Sequence, residues 1–217
     1  MARPRTNHDG KKQDLIKISF ELFMKNGYEN TSIQDIMAAA NISKGAMYHY
    51  FTCKEDILDA VLNFIIDMDE KRFEPILCNP SLSAMEKLTA TMSPNISQPP
   101  EELREATEYV MQRPASIVDY RARELSKSRT IMSLSGLIRE GIASGEFHTE
   151  HPEEMASFIF SSSQSMVELI MTQAGTSAMQ KACGAFIQLL TYCLGLEKKE
   201  HDFLIDFFKK QFNYDAN

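Results

Sequence analysis

The sequence has few of the features that staple, anchor or flatten a chain. Its four cysteines, Cys53, Cys78, Cys183 and Cys193, are widely scattered and form no C-x-x-C pair. That spacing argues against a disulfide framework or a structural zinc site, and no secretory signal stands ahead of them. The expectation is a reducing cytoplasm, with no metal and no cofactor. The longest apolar runs, such as "AVLNFIID" and "FIQLL", fall far short of the roughly 20 residues that a membrane-spanning helix needs, so no membrane is expected as a partner. No segment alternates apolar and polar residues as a half-buried strand does, and no Asn-Gly hairpin signal, internal repeat or low-complexity tract is present. What these absences leave is an all-α fold.

The chain of 217 residues, 43% hydrophobic and 24% charged, is long enough to bury a core without staples. Its net charge of −7 argues against a protein that coats nucleic acid non-specifically. The distribution is uneven, however. Residues 1–55 hold eight of the 23 Lys/Arg and six of the 30 Asp/Glu, whereas residues 56–217 hold fifteen and twenty-four. A mildly basic N-terminal part followed by an acidic remainder is a hint of nucleic-acid contact by the first part.

Helical periodicity runs through nearly the whole chain. Over residues 11–26, Leu15, Ile16, Ile18, Leu22 and Phe23 share one face, and Gly27 supplies a stop. In "NTSIQDIMAAAN", Thr31 or Ser32 caps a second, short helix with Gln34 or Asp35 as capping-box partner, and Ile33, Ile36, Met37 and Ala40 form its apolar stripe. Asn41 accepts a left-handed turn, and Ser43 caps a third helix over 44–51. Two helices of this size across a tight turn, packed on the first, make a helix-turn-helix unit. A fourth helix runs from Lys54 until Pro75 stops it. Further helices are expected over 82–92, 101–112, 117–143, 152–174, 178–195 and 200–212, with a break at "SPNISQPP".

The stretch "SKGAMYHYFTCKEDIL" packs three aromatic rings and a histidine between two lysines. Residues three and four apart share a helical face. Met47, Tyr50 and Phe51 therefore form one group, and Lys44 and Tyr48, with Gly45 and His49 one step round, form another. One reading of such a cluster is an amphipathic helix with an aromatic core face. The other gives the first group to the core and aims the second, a cation, a phenol and an imidazole, at phosphates and base edges. Gly45 and Ala46 are small enough to let the helix N-terminus approach a groove, and Lys54, at the start of the fourth helix, sits where a phosphate is attracted.

The order of residues over 14–61 resembles the N-terminal DNA-binding domain of TetR-family transcriptional regulators. The resemblance rests on Leu22-Phe23, Gly27-Tyr28, Thr31-Ser32, Asp35-Ile36, Ala38 to Ala40, Ser43-Lys44-Gly45, Tyr48, Phe51, Lys54-Glu55 and Leu58. Three positions depart from the family pattern: Asn41 replaces Gly, Cys53 replaces a good capping residue, and Ile18-Ser19 replaces two alanines. The resemblance implies a helix-turn-helix domain over 1–55 and a helical effector-binding and dimerisation domain over 56–217. It implies phosphate or base contacts for Lys44, Tyr48, His49 and Lys54, phosphate contacts for Thr31 and Ser32, and close approach to bases at Gly45 and Ala46. The partners it implies are double-stranded DNA bearing a palindromic operator, a second copy of the chain, and a small-molecule effector, with repression as the outcome.

The dimer is expected on the helices at 152–174 and 178–195, where Ala156, Ser161, Ser163, Ser165, Ala182, Gly184 and Ala185 permit close approach. Phe64, Met68, Tyr109, Met111, Met132 and Met166 are candidate walls of an effector pocket, because methionine adapts to varied apolar guests. His148 and His151 in "FHTEHPEE" are read as loop chemistry rather than metal ligands. Nothing assembles a nucleophile, a base and an oxyanion donor, so no enzyme is expected.

Overall fold

A computed structural model describes residues 6–93, 101–112, 114–171 and 176–212. These hold eleven helices and no strand: α1 (Thr6–Asn26), α2 (Ile33–Ala39), α3 (Lys44–Tyr50), α4 (Lys54–Glu70), α5 (Glu74–Leu77), α6 (Ala84–Thr91), α7 (Glu101–Met111), α8 (Ile117–Ser144), α9 (Pro152–Met171), α10 (Thr176–Leu194) and α11 (Lys198–Phe212). The fold is all-α. Two helix ends differ from the periodicity. Helix α1 begins at Thr6, five residues before the expected start at Lys11, and α4 stops at Glu70. Pro75 does not end α4; it lies in the first turn of the separate α5, where a missing N–H removes no helical bond. The expected break at 93–100, apart from Ser93, and the junction at 172–175 lie outside the described residues.

The chain forms two compact units. The first comprises residues 1–71 and 99–126, and so joins the N-terminal helices to α7 and the first turns of α8. Its core is built from Leu15, Ile16 and Phe23 of α1, Ile36 of α2, Met47 of α3 and Phe51 just after it, Ile57, Leu58, Val61 and Leu62 of α4, and Val118 of α8. Ser19, in place of a small apolar residue, is fully buried, and its hydroxyl donates to the Leu15 carbonyl at 2.7 Å. The polar atom is thereby satisfied within α1's own ladder.

The second unit comprises residues 72–98 and 127–217. Helices α9 and α10 pack side by side, and α11 returns onto α10 and α6. Ile138, Phe147, Ala156, Ile159, Cys183, Leu190, Leu194 and Leu204 are almost entirely buried at its centre. The ring of Phe147 lies against Gly141, where an added Cβ would come within 2.1 Å of it. His148 follows and closes the end of α10: its N–H donates to the Leu194 carbonyl at 2.7 Å, and its Nδ1 stands 3.2 Å from the Gly195 carbonyl. Gly195 itself has φ +58, a conformation that favours glycine.

Helix α6 shows how a residue distant in sequence completes a helix terminus. Ser83 and Glu86 form a capping box. The next two N–H groups, of Ala84 and Met85, donate to the two carboxylate oxygens of Glu146 at 3.1 and 3.0 Å, and the Ser144 hydroxyl donates to the same carboxylate at 2.9 Å. Burial alone would raise the pKa of Glu146, but the Met85 and Ala84 N–H groups and the serine hydroxyl outweigh it and hold the carboxyl below its ordinary range.

Two predictions follow from these packings. Because the folded pKa of Glu146 is depressed, its contribution is present above the unfolded pKa and is lost as pH falls through the folded value. Glu146→Ala should cost about 0.5–2 kcal/mol at neutral pH, as loss of a cap does, with the gap from wild type narrowing as pH falls below the ordinary glutamate range of about 4.3. Urea denaturation across that range reads it; a gap independent of pH would refute the assignment. In the first unit, Met47 is 1% exposed and Tyr48 46% exposed. Met47→Ala should destabilise by about 2–5 kcal/mol and Tyr48→Ala by no more than about 0.5 kcal/mol, measured by the same method.

Candidate nucleic-acid interface

The interface begins at the turn between α1 and α2. Gly27, at φ +86, ends α1, with its N–H on the Phe23 carbonyl at 3.0 Å. Between the two possible caps the structure selects Ser32: its Oγ accepts the Asp35 N–H at 3.1 Å, and its own N–H donates to the Asp35 carboxylate at 2.8 Å. The serine hydroxyl also donates to that carboxylate, and these bonds hold the carboxyl below its usual range. Thr31 differs from the expected outward-facing phosphate contact. It is fully buried, and its hydroxyl donates to the Gly27 carbonyl at 2.8 Å, closing the turn from within. Threonine and serine are adjacent and chemically alike, so only packing could separate their roles.

Asn41 adopts φ +50 and makes the turn into α3, as its tolerance of left-handed backbone allows. Ser43 caps α3 by accepting the Ala46 N–H at 3.3 Å. The helix then divides by face. Met47 and Phe51 are buried and Tyr50 is half-buried, whereas Lys44, Gly45, Tyr48 and His49 are exposed. Lys44 Nζ lies 5.9 Å from the centre of the Tyr48 ring. A Cβ at Gly45 would meet nothing within 4 Å, so the N-terminal turn of α3 is open to an approaching molecule.

Lys54, the first residue of α4, is more engaged than its position suggests. Its Nζ sits 4.2 Å from the centre of the Tyr28 ring and donates to the Glu29 carbonyl at 3.3 Å. Tyr28 is itself buried, and burial together with the nearby Glu55 carboxylate pushes its hydroxyl up to about 12, so it stays a neutral phenol. Cys53 occupies the N-cap of α4 and makes no capping bond there. The helix start is secured instead by Asp56, whose carboxylate reaches back to the N–H of Thr52 at 2.9 Å and to its hydroxyl. The Thr52 hydroxyl and N–H are the main reasons that the Asp56 carboxyl lies below its ordinary range.

Two neighbours of this region are not legible as such in the sequence, where Lys12 carries no signal and Tyr109 is expected at a pocket wall. Lys12 of α1 places Nζ 5.7 Å from the centre of the Phe51 ring, bringing another cation to the end of α3. Tyr109 of α7 accepts the Tyr28 N–H on its hydroxyl at 2.8 Å, across 81 residues. Periodicity shows which face of a helix is apolar, but not which distant residue it meets.

The candidate pocket residues are spread over both units. Phe64, Met68 and Tyr109 lie in the first; Met132 and Met166 lie in the second. Phe64 packs against Phe20 with ring centres 6.2 Å apart, Met132 is 71% exposed, and Met166 belongs to the second unit's core. The side chain of Met111 lies outside the described part. Tyr109 alone of the six lines the apolar crevice of the first unit, beside Phe23, Tyr28, Leu62 and Val118. That crevice is about 20 Å³, room for about one water and far below the few hundred Å³ of a small-molecule site.

Comparison with known proteins agrees with this geometry. The family described as "Bacterial regulatory proteins, tetR family" matches residues 15–61, which run from the core of α1 through α3 into α4. The HTH-type transcriptional regulator YuxN of Bacillus subtilis is 42% identical over 67 residues, 31% of this chain and 22% of that protein. The HTH-type transcriptional repressor KstR2 of Mycolicibacterium smegmatis is 32% identical over 79 residues, 36% of this chain and 38% of the repressor. The matched stretch thus spans well under half the length of these curated relatives. Solved structures extend the likeness of fold over most of the chain. A TetR-family transcriptional regulator from Syntrophomonas wolfei matches with a TM-score of 0.55 at 20% identity, covering 88% of this chain and 98% of the other. A second, from Cytophaga hutchinsonii, matches with a TM-score of 0.50 at 18% identity, covering 90% and 99%. Over the domain that its first four helices build, residues 15–61, the chain is similar to the TetR family of bacterial regulatory proteins.

Proposed function

We propose that the chain is a ligand-responsive transcriptional regulator, a repressor that binds a palindromic operator as a homodimer and is released or retuned by a small-molecule effector. The observation that carries the reading is the division of α3, with Met47 and Phe51 buried and Lys44, Gly45, Tyr48 and His49 exposed on a helix-turn-helix of this family. The exposed set supplies a cation, two further hydrogen-bonding side chains and an unobstructed helix N-terminus, which suits a major groove. Lys44, Gly45, Ala46, Tyr48, His49 and Lys54 are the proposed DNA contacts. Ser32, half-buried at the start of α2, remains with them, whereas the buried Thr31 supports the turn instead.

Residues 1–55 take the DNA-binding role in this reading, and 56–217 the effector and dimer roles. Helices α9 and α10 support the dimer: Phe158 and Tyr192 on this pair are 55% and 85% exposed, and Ser161, Ser165 and Ala185 are exposed small residues beside them in sequence. Exposed aromatic area is what a self-complementary interface removes from water. Repression is the activity named for one of the relatives, KstR2. Among the described residues no helix is long and apolar enough to cross a membrane, and the proposed work is cytoplasmic. An effector acts by binding more tightly to one spacing of the two recognition helices than to the other; equal affinity for both would shift nothing.

Selection of bound sequences from random DNA should enrich an inverted repeat with half-sites about one helical turn apart. Repeating the selection with a panel of small molecules should find one that abolishes enrichment, and sedimentation at micromolar concentration should give a dimer. Enrichment of no repeat, or a monomer, refutes the corresponding part. Lys54→Ala should weaken binding to all duplexes alike and reduce the magnitude of the salt slope by about one, while Gly45→Ser should change which bases are preferred. An unchanged slope in the lysine variant would remove Lys54 from the phosphate contacts.

A further inference from the structure

Gly27 ends α1 in a way that creates a need α1 does not meet. In the common glycine-terminated helix end, the N–H groups that follow turn back to carbonyls of the last turn. Here the Gly27 N–H does so, but the Tyr28 N–H donates to the hydroxyl oxygen of Tyr109 on α7 at 2.8 Å. Tyr28 is buried, and a buried N–H without an acceptor is costly. The Tyr109 oxygen thus stands where a carbonyl of α1 would ordinarily serve.

The turn it satisfies supports three features of the interface. The Tyr28 ring, edge-on to Phe23 at 5.3 Å, carries the Lys54 ammonium 4.2 Å from its centre. The Glu29 carbonyl in the same turn accepts from Lys54. The Tyr28 and Gly27 carbonyls accept the N–H and hydroxyl of Thr31, at 3.2 and 2.8 Å, one residue before the Ser32 cap of α2. The place of Lys54 and the start of α2 both depend on the path of residues 27–31.

We propose that Tyr109 is a positioning residue for the DNA interface: by accepting the Tyr28 N–H, its hydroxyl fixes the turn that seats Lys54 and starts α2. The inference rests on the DNA-binding reading above. Tyr109 lies in the helical part proposed to answer the effector, yet its bonded partner is in the helix-turn-helix. Both belong to the first compact unit.

Tyr109→Phe in the full chain removes one oxygen and leaves the ring in its crevice. Tyr120→Phe, at a tyrosine 63% exposed on α8, is the control. The first readout is amide exchange at Tyr28, which should quicken several-fold in the Tyr109 variant and not in the control. The second is affinity for a random-sequence duplex at low ionic strength, where phosphate contacts dominate, with an expected loss of roughly two- to tenfold from one hydrogen bond. The third is a cycle with Lys54→Ala: the loss should largely vanish in that background, because it acts through Lys54. Faster exchange with unchanged affinity would make the bond structural only, and a fully additive cycle would deny the route through Lys54; either overturns the proposal. Wild-type protein that binds no duplex would overturn the DNA-binding reading itself, whereas wild type and Tyr109→Phe binding equally would overturn this inference alone.

Discussion

Helix α3 has seven residues, too few to persist in water on its own hydrogen bonds, since isolated helices below about 12–15 residues are marginal. Its orientation is therefore decided by where Met47 and Phe51 are buried, and the exposure of Lys44, Tyr48 and His49 is a consequence of that burial. The core reading of the aromatic cluster holds for one face, and the other face is exposed, as contact with DNA would require. The core face supplies the order, and the outer face supplies chemistry that would be disordered without it. Because three residues of the seven-residue stretch are committed inward or half-inward, the surface offered to a groove is small, and the glycine at its start helps by leaving the backbone approachable.

The elements that the sequence makes legible are the ones whose causes are local. Gly27, Asn41 and Ser43 mark the end of α1, the turn and the cap of α3 within a few residues of the groups they serve, and the structure places each in that role. Apolar spacing gives the buried faces of α1 to α4 for the same reason. What stays hidden depends on which distant surface a residue meets. Thr31 and Ser32 are equivalent as caps on paper, and the interior at Gly27 takes one and leaves the other. Glu146 gives no sign that it will complete α6, some sixty residues earlier, because its partners are main-chain N–H groups with no side-chain signature.

The candidate pocket illustrates the weakest kind of inference. Methionine and aromatic residues at helical spacing are core residues in most positions, and Met166 and Phe64 sit in such packing. Met132, highly exposed, shows the opposite departure. Composition can say that a chain is rich in adaptable side chains; it gives no vector. The exposed face of α3 is easier, since a short helix of fixed register has few ways to place a cation and a phenol on one side.

Charge gives the proposed function its selectivity. Residues 56–217 carry fifteen basic and twenty-four acidic side chains, so the bulk of the chain is repelled by a polyanion. Affinity without sequence preference grows with the number of phosphates neutralised, and here few cations are available for that purpose. Lys54 is further restrained by Tyr28 and the Glu29 carbonyl, which places the charge at a fixed point instead of leaving it to sample many. In the proposed function, an acidic body with a small basic face loses more non-specific than specific binding, because the proposed base-edge contacts from α3 would be untouched by the loss of long-range attraction. The acidic excess, which at first argues against nucleic acid, is on this account what separates one site from the surrounding DNA.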